Sequence, residues 1–261
     1  MKMTILGLAV AVALVAVIGG APPAATATQP KAEAKPEALP EYPLLDPKNK
    51  IVFLSPDKQL VAEVSGEGKD KKVVRVGIVA EVCLREGPLE LFLCKKGTKE
   101  HEAPLRVDMD AELIHQAIIV AGGKEGTATQ FIDPKTEEAK YTPATGSKVK
   151  VTIHYKLDGK LQTCPAQDWI WDIKKKAPIP HSWVFAGSKF IPNPNNPNAK
   201  PFYGANSGDI FSVSNFPYST LEFPVEISKD DAQLSYEAKT DKIPPLASKV
   251  WVIVEVIPEK K

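Results

Sequence analysis

Cysteine, histidine and methionine are scarce in this chain, with 3, 4 and 3 copies respectively among 261 residues. Cys83, Cys94 and Cys164 stand far apart and form no C-x-x-C pair. A common iron–sulfur cluster needs four closely spaced thiolates, so none is expected, and the missing pair also counts against a thioredoxin-like centre. Clustered positive charge is absent too. The formal charge is +1, removal of a leader carrying Lys2 brings it to zero, and Lys174-Lys175-Lys176 is the one local basic run. Nucleic acid is therefore not an expected partner, because phosphate neutralisation demands grouped Lys and Arg. Gly204-Ala205-Asn206-Ser207-Gly208 does not fit G-x-S-x-G, and Gly122-Gly123 follows a helical stretch instead of opening one, so neither a nucleophile elbow nor a phosphate loop is present.

The chain has one extended apolar run, Ile5 to Ile18. It is shorter than the roughly 20 residues that span a bilayer, follows Lys2 and leads to the small-residue site Ala25-Thr26-Ala27. Residues 1–27 read as a signal peptide cleaved after Ala27, with Ala21 a weaker site because Pro22 follows it. The first cysteine is distant, which argues against a lipid anchor at the cleavage site, and no later run predicts a transmembrane segment in the mature chain. Residues 28–41 are built from Ala, Pro, Lys, Glu and Thr, offer little to bury, and read as a flexible linker. Residues 42–261 then read as a single domain.

Short Val- and Ile-rich runs predict strands at Ile51 to Leu54, Val73 to Val82, Leu89 to Cys94, Leu105 to Val107, Val149 to Leu157, Ile210 to Ser214, Val225 to Ile227 and Val250 to Ile257. Asp158-Gly159 predicts a tight hairpin. One stretch has a helical period: residues 110–121 place Leu113, Ile114, Ala117, Ile118 and Ala121 on one stripe, with Gly122 as the stop. Ala166 to Lys174 reads as a second, shorter helix, and Pro192 to Pro201 as a long excursion between extended runs. The predicted class is α+β, strand-dominated, with antiparallel sheet and one main helix.

Strand alternation puts Leu89, Leu91 and Leu93 on a core face, and Glu90, Phe92 and Cys94 on the other. If residues 95–100 turn a hairpin, His101 comes opposite Cys94, so Glu90, Cys94, His101 and Glu102 become candidates for a divalent metal or ligand site. A shift of one residue in register would disperse them. The helical period puts His115 with Glu112 and Gln116 on the polar side. One Glu-x-x-His copy is too little for a dimetal carboxylate centre. In an oxidising compartment Cys83 and Cys94 are also disulfide candidates. A tight hairpin at 85–88 would hold them roughly 10 Å apart, whereas a disulfide needs Cα atoms within about 7 Å. Either the loop is wider or both thiols are free. Asp168-Trp169-Ile170-Trp171-Asp172 and Trp183 read as core tryptophans with aspartates that begin and flank a short helix, a groove for a glycan or peptide being the alternative.

Val82-Cys83, Gly87-Pro88-Leu89-Glu90, Cys94, Gly97-Thr98-Lys99-Glu100-His101-Glu102, His115 and Gly122 together resemble the YdjY-like family of exported bacterial proteins. Trp183 to Ser188 and Ser214 to Pro217 carry the resemblance onward, so that it runs from about Val73 to Ile257. It implies export to the periplasm or beyond, strengthens a pocket-rim role for His115 with His101, and contains both Cys83 and Cys94. It names no reaction. The function expected is a non-catalytic binding or structural component acting on an extracytoplasmic protein, peptide or glycan without a cofactor. A His/Glu/Cys metal protein or metal-dependent enzyme is the first alternative and a thiol-redox protein the second.

Overall fold

Lys72–Val82 is an eleven-residue strand whose Val and Ile side chains suit a pleated surface buried on both sides. In the computed structural model, which describes residues 35–132, 136–227 and 235–258, this strand is the axis of the main sheet. Lys249–Val256 lies antiparallel along one edge, with Val252 opposite Ile78. The other edge is shared: Leu60–Ser65 runs beside it as far as Ile78, and Leu105–Val107 takes over at Glu81 and Val82. Beyond Lys249–Val256 the sheet continues through Val149–Leu157 to Lys160–Pro165. Beyond Leu105–Val107 it continues through Leu91–Lys95, Phe211–Ser212 and Leu221–Glu222 to Val184–Phe185. The signal peptide read at 1–27, and the linker as far as residue 34, lie outside the described residues.

The sheet is mixed, which corrects the antiparallel expectation. Leu91–Lys95 pairs in parallel with Leu105–Val107, and Phe211–Ser212 in parallel with Leu221–Glu222. The chain does turn after Lys95, but it runs on through Pro104 before re-entering the sheet, so the returning strand points the same way as the one it left. The predicted hairpin register between Cys94 and His101 is lost with it; Cys94 stands opposite Arg106. At Asp158-Gly159 both residues have positive φ, 52° and 72°, and Leu157 pairs with Lys160, the two-residue turn that this dipeptide favours.

The helix is Ala111–Val120. Asp110 occupies the N-cap position, but its carboxylate pairs with Lys95 at 2.5 Å, and Asn206 Oδ1 accepts the Ala111 N–H at 2.9 Å in its place. Gly122, at φ 88°, ends the helix in the left-handed conformation. The second helix read at Ala166 to Lys174 is instead a short 3-10 turn, Ala166–Trp169, running into the strand Ile170–Asp172. Val225 to Ile227 is irregular; the Ile227 N–H donates to Asn215 Oδ1. The Pro192 to Pro201 excursion joins the hairpin strands Phe190–Ile191 and Phe202–Tyr203.

One large core holds Ile114 and Ile118 of the helix, Val76 and Ile78 of the axial strand, and Phe92, Trp169, Trp183 and Phe223. Full burial of each such side chain contributes about 1.5–3 kcal/mol. The opposite face of the axial strand carries a smaller cluster, Val61, Val79, Trp251 and Ile253, covered by Leu39, Tyr42 and Ile51. Residues 35–41, read as linker, therefore include a strap laid on the sheet: Trp251 donates its indole N–H to Pro40 O at 3.0 Å, and Lys249 its N–H to Glu37 O at 3.0 Å. Burial of Leu39 and Tyr42 offsets the ordering entropy that the polar composition of this stretch suggested could not be met. No helix among the described residues is long and apolar enough to cross a membrane.

Candidate functional site

His115 reaches the interior because two elements close over its side of the helix. Phe185 meets the imidazole edge-on, with ring centroids 5.0 Å apart, and Tyr203 does so at 5.5 Å. The periodicity that placed His115 on the polar side is corrected here: His115 is buried, while Leu113, read into the apolar stripe, is 37% exposed. His115 Nε2 lies 3.1 Å from Glu125 Oε2. Nδ1 lies 2.9 Å from the Tyr203 hydroxyl and 3.0 Å from Gly187 O, and the Tyr203 hydroxyl donates to Gly187 O at 3.0 Å.

This cluster ties the helix to residues 187–189. Ser188 holds a left-handed φ of 56°, uncommon for a residue with a Cβ. Its N–H donates to Ser219 O at 2.9 Å, and its Oγ accepts the Ala205 N–H at 3.0 Å. Ser188 and Lys189 form one wall of a cleft of about 570 Å³ whose other lining includes Thr127, Gln130, Phe131 and Pro217. The facing wall is anchored from inside. Glu222, fully buried, accepts the Thr129 N–H at 2.9 Å and the Asn215 amide at 3.0 Å. Burial drives its carboxyl pKa up, and these hydrogen bonds offset part of that rise. Lys189 projects its ammonium over the Tyr218 ring, 4.8 Å from the centroid.

The residues expected to form a metal or ligand site divide into separate places. His101 is exposed, with Nε2 3.7 Å from Glu102 Oε2. Glu90 and Glu102 belong to a group around Lys99, whose ammonium lies 3.5 Å from Glu102 and 3.0 Å from Asp209, above the Phe216 ring. Burial lowers the Lys99 pKa, but Asp209, Glu102 and Glu90 outweigh it, leaving the pKa raised. A protonated amine thus stands among the carboxylates that were read as ligands. His115 lies instead among Glu125, Phe185, Gly187 and Tyr203. Among the described residues no three His, Cys, Asp or Glu side chains converge as a metal site requires.

The three cysteines are free thiols, so the expected bridge is not formed in this structure. The hairpin that would have separated Cys83 from Cys94 is also absent; Cys83 N–H donates to Pro104 O and Cys94 pairs with Arg106, on either side of the strand Leu105–Val107. Cys164 lies 3.8 Å from the Tyr155 hydroxyl, its pKa pushed up to about 11 by burial. Two of the three tryptophans lie where the core reading put them. Trp169 and Trp183 are fully buried, the latter stacked on Phe223 at 4.4 Å and donating to Ser212 O at 2.8 Å. Trp171 is half-buried beneath the Lys239 ammonium, 4.2 Å from its ring centroid. Asp172 is buried and accepts the Lys174 and Lys175 N–H groups.

Glu125, Tyr203, Gln130 and Lys189 were not singled out by the sequence as site residues. They lie 5–78 positions apart in the chain, and the one local pointer was the Trp183 to Ser188 stretch. Neither the curated proteins nor the solved structures contain a match to this chain. The YdjY domain family matches residues 67–255, which include the helix, the cleft and both Cys83 and Cys94 but begin after the strap. That match extends over more than half of the 261 residues, and the chain belongs to the YdjY family.

Proposed function

We propose that this chain is an exported, non-catalytic binding component that works outside the cytoplasmic membrane and holds an extended peptide segment in the cleft beside His115. The cleft itself carries this reading: Phe131 and Pro217 offer apolar contact, while Thr127, Gln130, Ser188 and Lys189 offer hydrogen bonds and one positive charge, a combination suited to an acidic peptide. A glycan is the weaker ligand, because Trp169 and Trp183, the rings that would stack on sugar, are in the core.

The Glu125–His115–Tyr203 cluster supports binding over catalysis. Tyr203 is 2% exposed, its hydroxyl is engaged by His115, Gly187 and Thr220, and its pKa is raised to about 12, chiefly by burial. Such a hydroxyl is neither accessible to a substrate nor readily ionised near neutral pH. Its role here is to hold the wall at Gly187. The metal alternative through His101, Glu102, Glu90, Cys94 and His115 competes with Lys99, which already neutralises the carboxylates of that set.

The test uses mature protein recovered from the extracytoplasmic fraction, whose intact mass should correspond to a chain starting near Thr28. Panning it against a displayed random-peptide library should enrich acidic sequences. Lys189→Glu should weaken binding of the enriched peptides at least tenfold, about 1.4 kcal/mol, while leaving the melting temperature unchanged. Uncleaved precursor confined to the cytosol would overturn export; no enrichment, or binding indifferent to Lys189→Glu, would overturn the peptide cleft.

A further inference from the structure

The run Gly97-Thr98-Lys99-Glu100-His101-Glu102 carries part of the family resemblance, and the cleft makes no use of it. Its lysine is steered by the chain opposite. The Lys99 stem lies across Gly208, where a Cβ would come within 3.1 Å of Lys99 Cγ and Cδ and 2.8 Å of Thr98 Oγ1. Gly208 is held at φ 128°, and the next residue is Asp209. The amine is thereby brought to 3.0 Å from Asp209 Oδ1. That oxygen is buried and makes no hydrogen bond among the described residues, so amine and carboxyl meet without the alignment of a hydrogen bond. Glu102 Oε1 lies 3.5 Å from the same amine, and the Glu102 carbonyl is fixed by accepting the Glu90 and Leu91 N–H groups, each at 3.1 Å. Asp209 is fixed in turn, its carbonyl accepting the Thr220 N–H at 3.2 Å. The Phe216 ring covers the group, its centroid 4.3 Å from Lys99 Nζ. A primary amine, a buried carboxyl and a second carboxylate within reach of the amine are the parts that an amide condensation needs.

We propose that Lys99 and Asp209 condense to an intramolecular isopeptide bond, with Glu102 carrying the proton from the nitrogen to the leaving oxygen. The resting pair is an ammonium and a carboxylate. Transfer of one proton from Lys99 Nζ to Asp209 gives a neutral amine and a neutral carboxylic acid, and leaves the charge of the group unchanged. The amine lone pair then attacks Asp209 Cγ, forming the C–N bond. Glu102 takes a proton from the nitrogen and returns it to the hydroxyl oxygen, the C–O bond breaks, and one water leaves. Glu102 ends as it began, and the balance needs no other reactant. Groups held in contact and aligned react with effective molarities of about 10⁵–10⁸ M, which offsets the cost of condensing an amine with a carboxyl in water. Asp209, Glu102 and Glu90 keep Lys99 protonated at rest, so the free amine is the minor form and closure is a slow maturation step that follows folding. The bond ties the path between Leu91–Lys95 and Leu105–Val107 to the entrance of Phe211–Ser212, which pairs with the other edge of Leu91–Lys95. It depends neither on the cleft nor on export.

The experiment ages the purified, folded mature chain at physiological temperature, digests samples over time and maps the peptides by mass spectrometry. A branched peptide joining Lys99 to Asp209, lighter than its two parts together by the mass of one water, should accumulate. Lys99→Arg keeps a positive charge beside Asp209 and Phe216 but should give no branched peptide and no loss of mass. Glu102→Gln, shown by circular dichroism to be folded, should close more slowly by roughly a hundredfold. Separate Lys99 and Asp209 peptides of full mass throughout would overturn the proposal. So would water lost from the Asp209 peptide alone, the mark of cyclisation onto its own backbone, or a loss of water that persists in Lys99→Arg. Closure at the wild-type rate in folded Glu102→Gln would overturn the relay.

Discussion

Glu222 brings a carboxyl into full burial behind the cleft and spends both oxygens on Thr129 and Asn215. Desolvation, the largest influence, raises its pKa in the folded state. The folded protein therefore holds this proton more tightly than the unfolded chain does. The stability linked to Glu222 is complete below the unfolded carboxylate pKa and is lost as pH rises through the folded value. Glu222→Gln keeps the side chain's shape without the charge, so it should flatten that part of the stability profile. Denaturant unfolding of both proteins across the weakly acidic to neutral range should show a smaller fall with pH in the variant. Parallel profiles would mean the carboxyl does not titrate with folding. His115 carries a different lesson at this scale. The spacing of residues 110–121 correctly locates a helix, but which side of it is buried depends on Phe185 and Tyr203, whose arrival nothing local announces.

At the scale of elements, the strap and the axial strand fit together through a missing side chain. A Cβ added at Gly77 would lie 2.3 Å from Tyr42 Cε2 and 2.8 Å from Val61 Cγ2. Tyr42 is wedged there by Trp251, whose ring meets it edge-on at 5.1 Å. The strap is fastened further by buried Glu63, which accepts the Leu45 N–H at 2.7 Å and the Asn49 amide at 2.6 Å and pairs with Arg75. Gly77→Ala should displace Tyr42, cost about 1–3 kcal/mol as overpacking does, and speed amide exchange in residues 37–45. Unchanged exchange there would show that the strap does not depend on this close approach. Elements set by adjacent residues were legible in the sequence: the Asp158-Gly159 hairpin, the helix with its Gly122 stop, and Leu105–Val107 with its bounds. The parallel pairing of Leu91–Lys95 with Leu105–Val107 was not, because the path of residues 96–104 sets strand direction and alternation cannot report it. That same pairing decides that Cys94 stands opposite Arg106 instead of His101.

Across the whole molecule, aromatic mass and polar function separate. Trp169, Trp183, Phe92 and Phe223 make the core under the sheet, and the residues lining the cleft come from the Gln130–Ile132 strand, the segment preceding it, and the loop at Ser188 and Lys189. Tryptophan content in the second half read as core with a groove as the alternative, because large aromatic surface is usually used for burial, and only the three-dimensional path tells the two apart. The cleft was illegible for the same reason that it is specific to the fold: residues 126–132, Ser188 with Lys189, and Pro217 meet only in the folded chain. The most direct test of the peptide cleft is amide hydrogen exchange of the mature chain with and without a saturating library-selected acidic peptide. Slower exchange should appear at residues 126–132 and 187–190, with Lys160–Pro165 at the far edge of the sheet unchanged. Protection elsewhere with none at the cleft, or no protection from a peptide bound at saturation, would contradict the assignment.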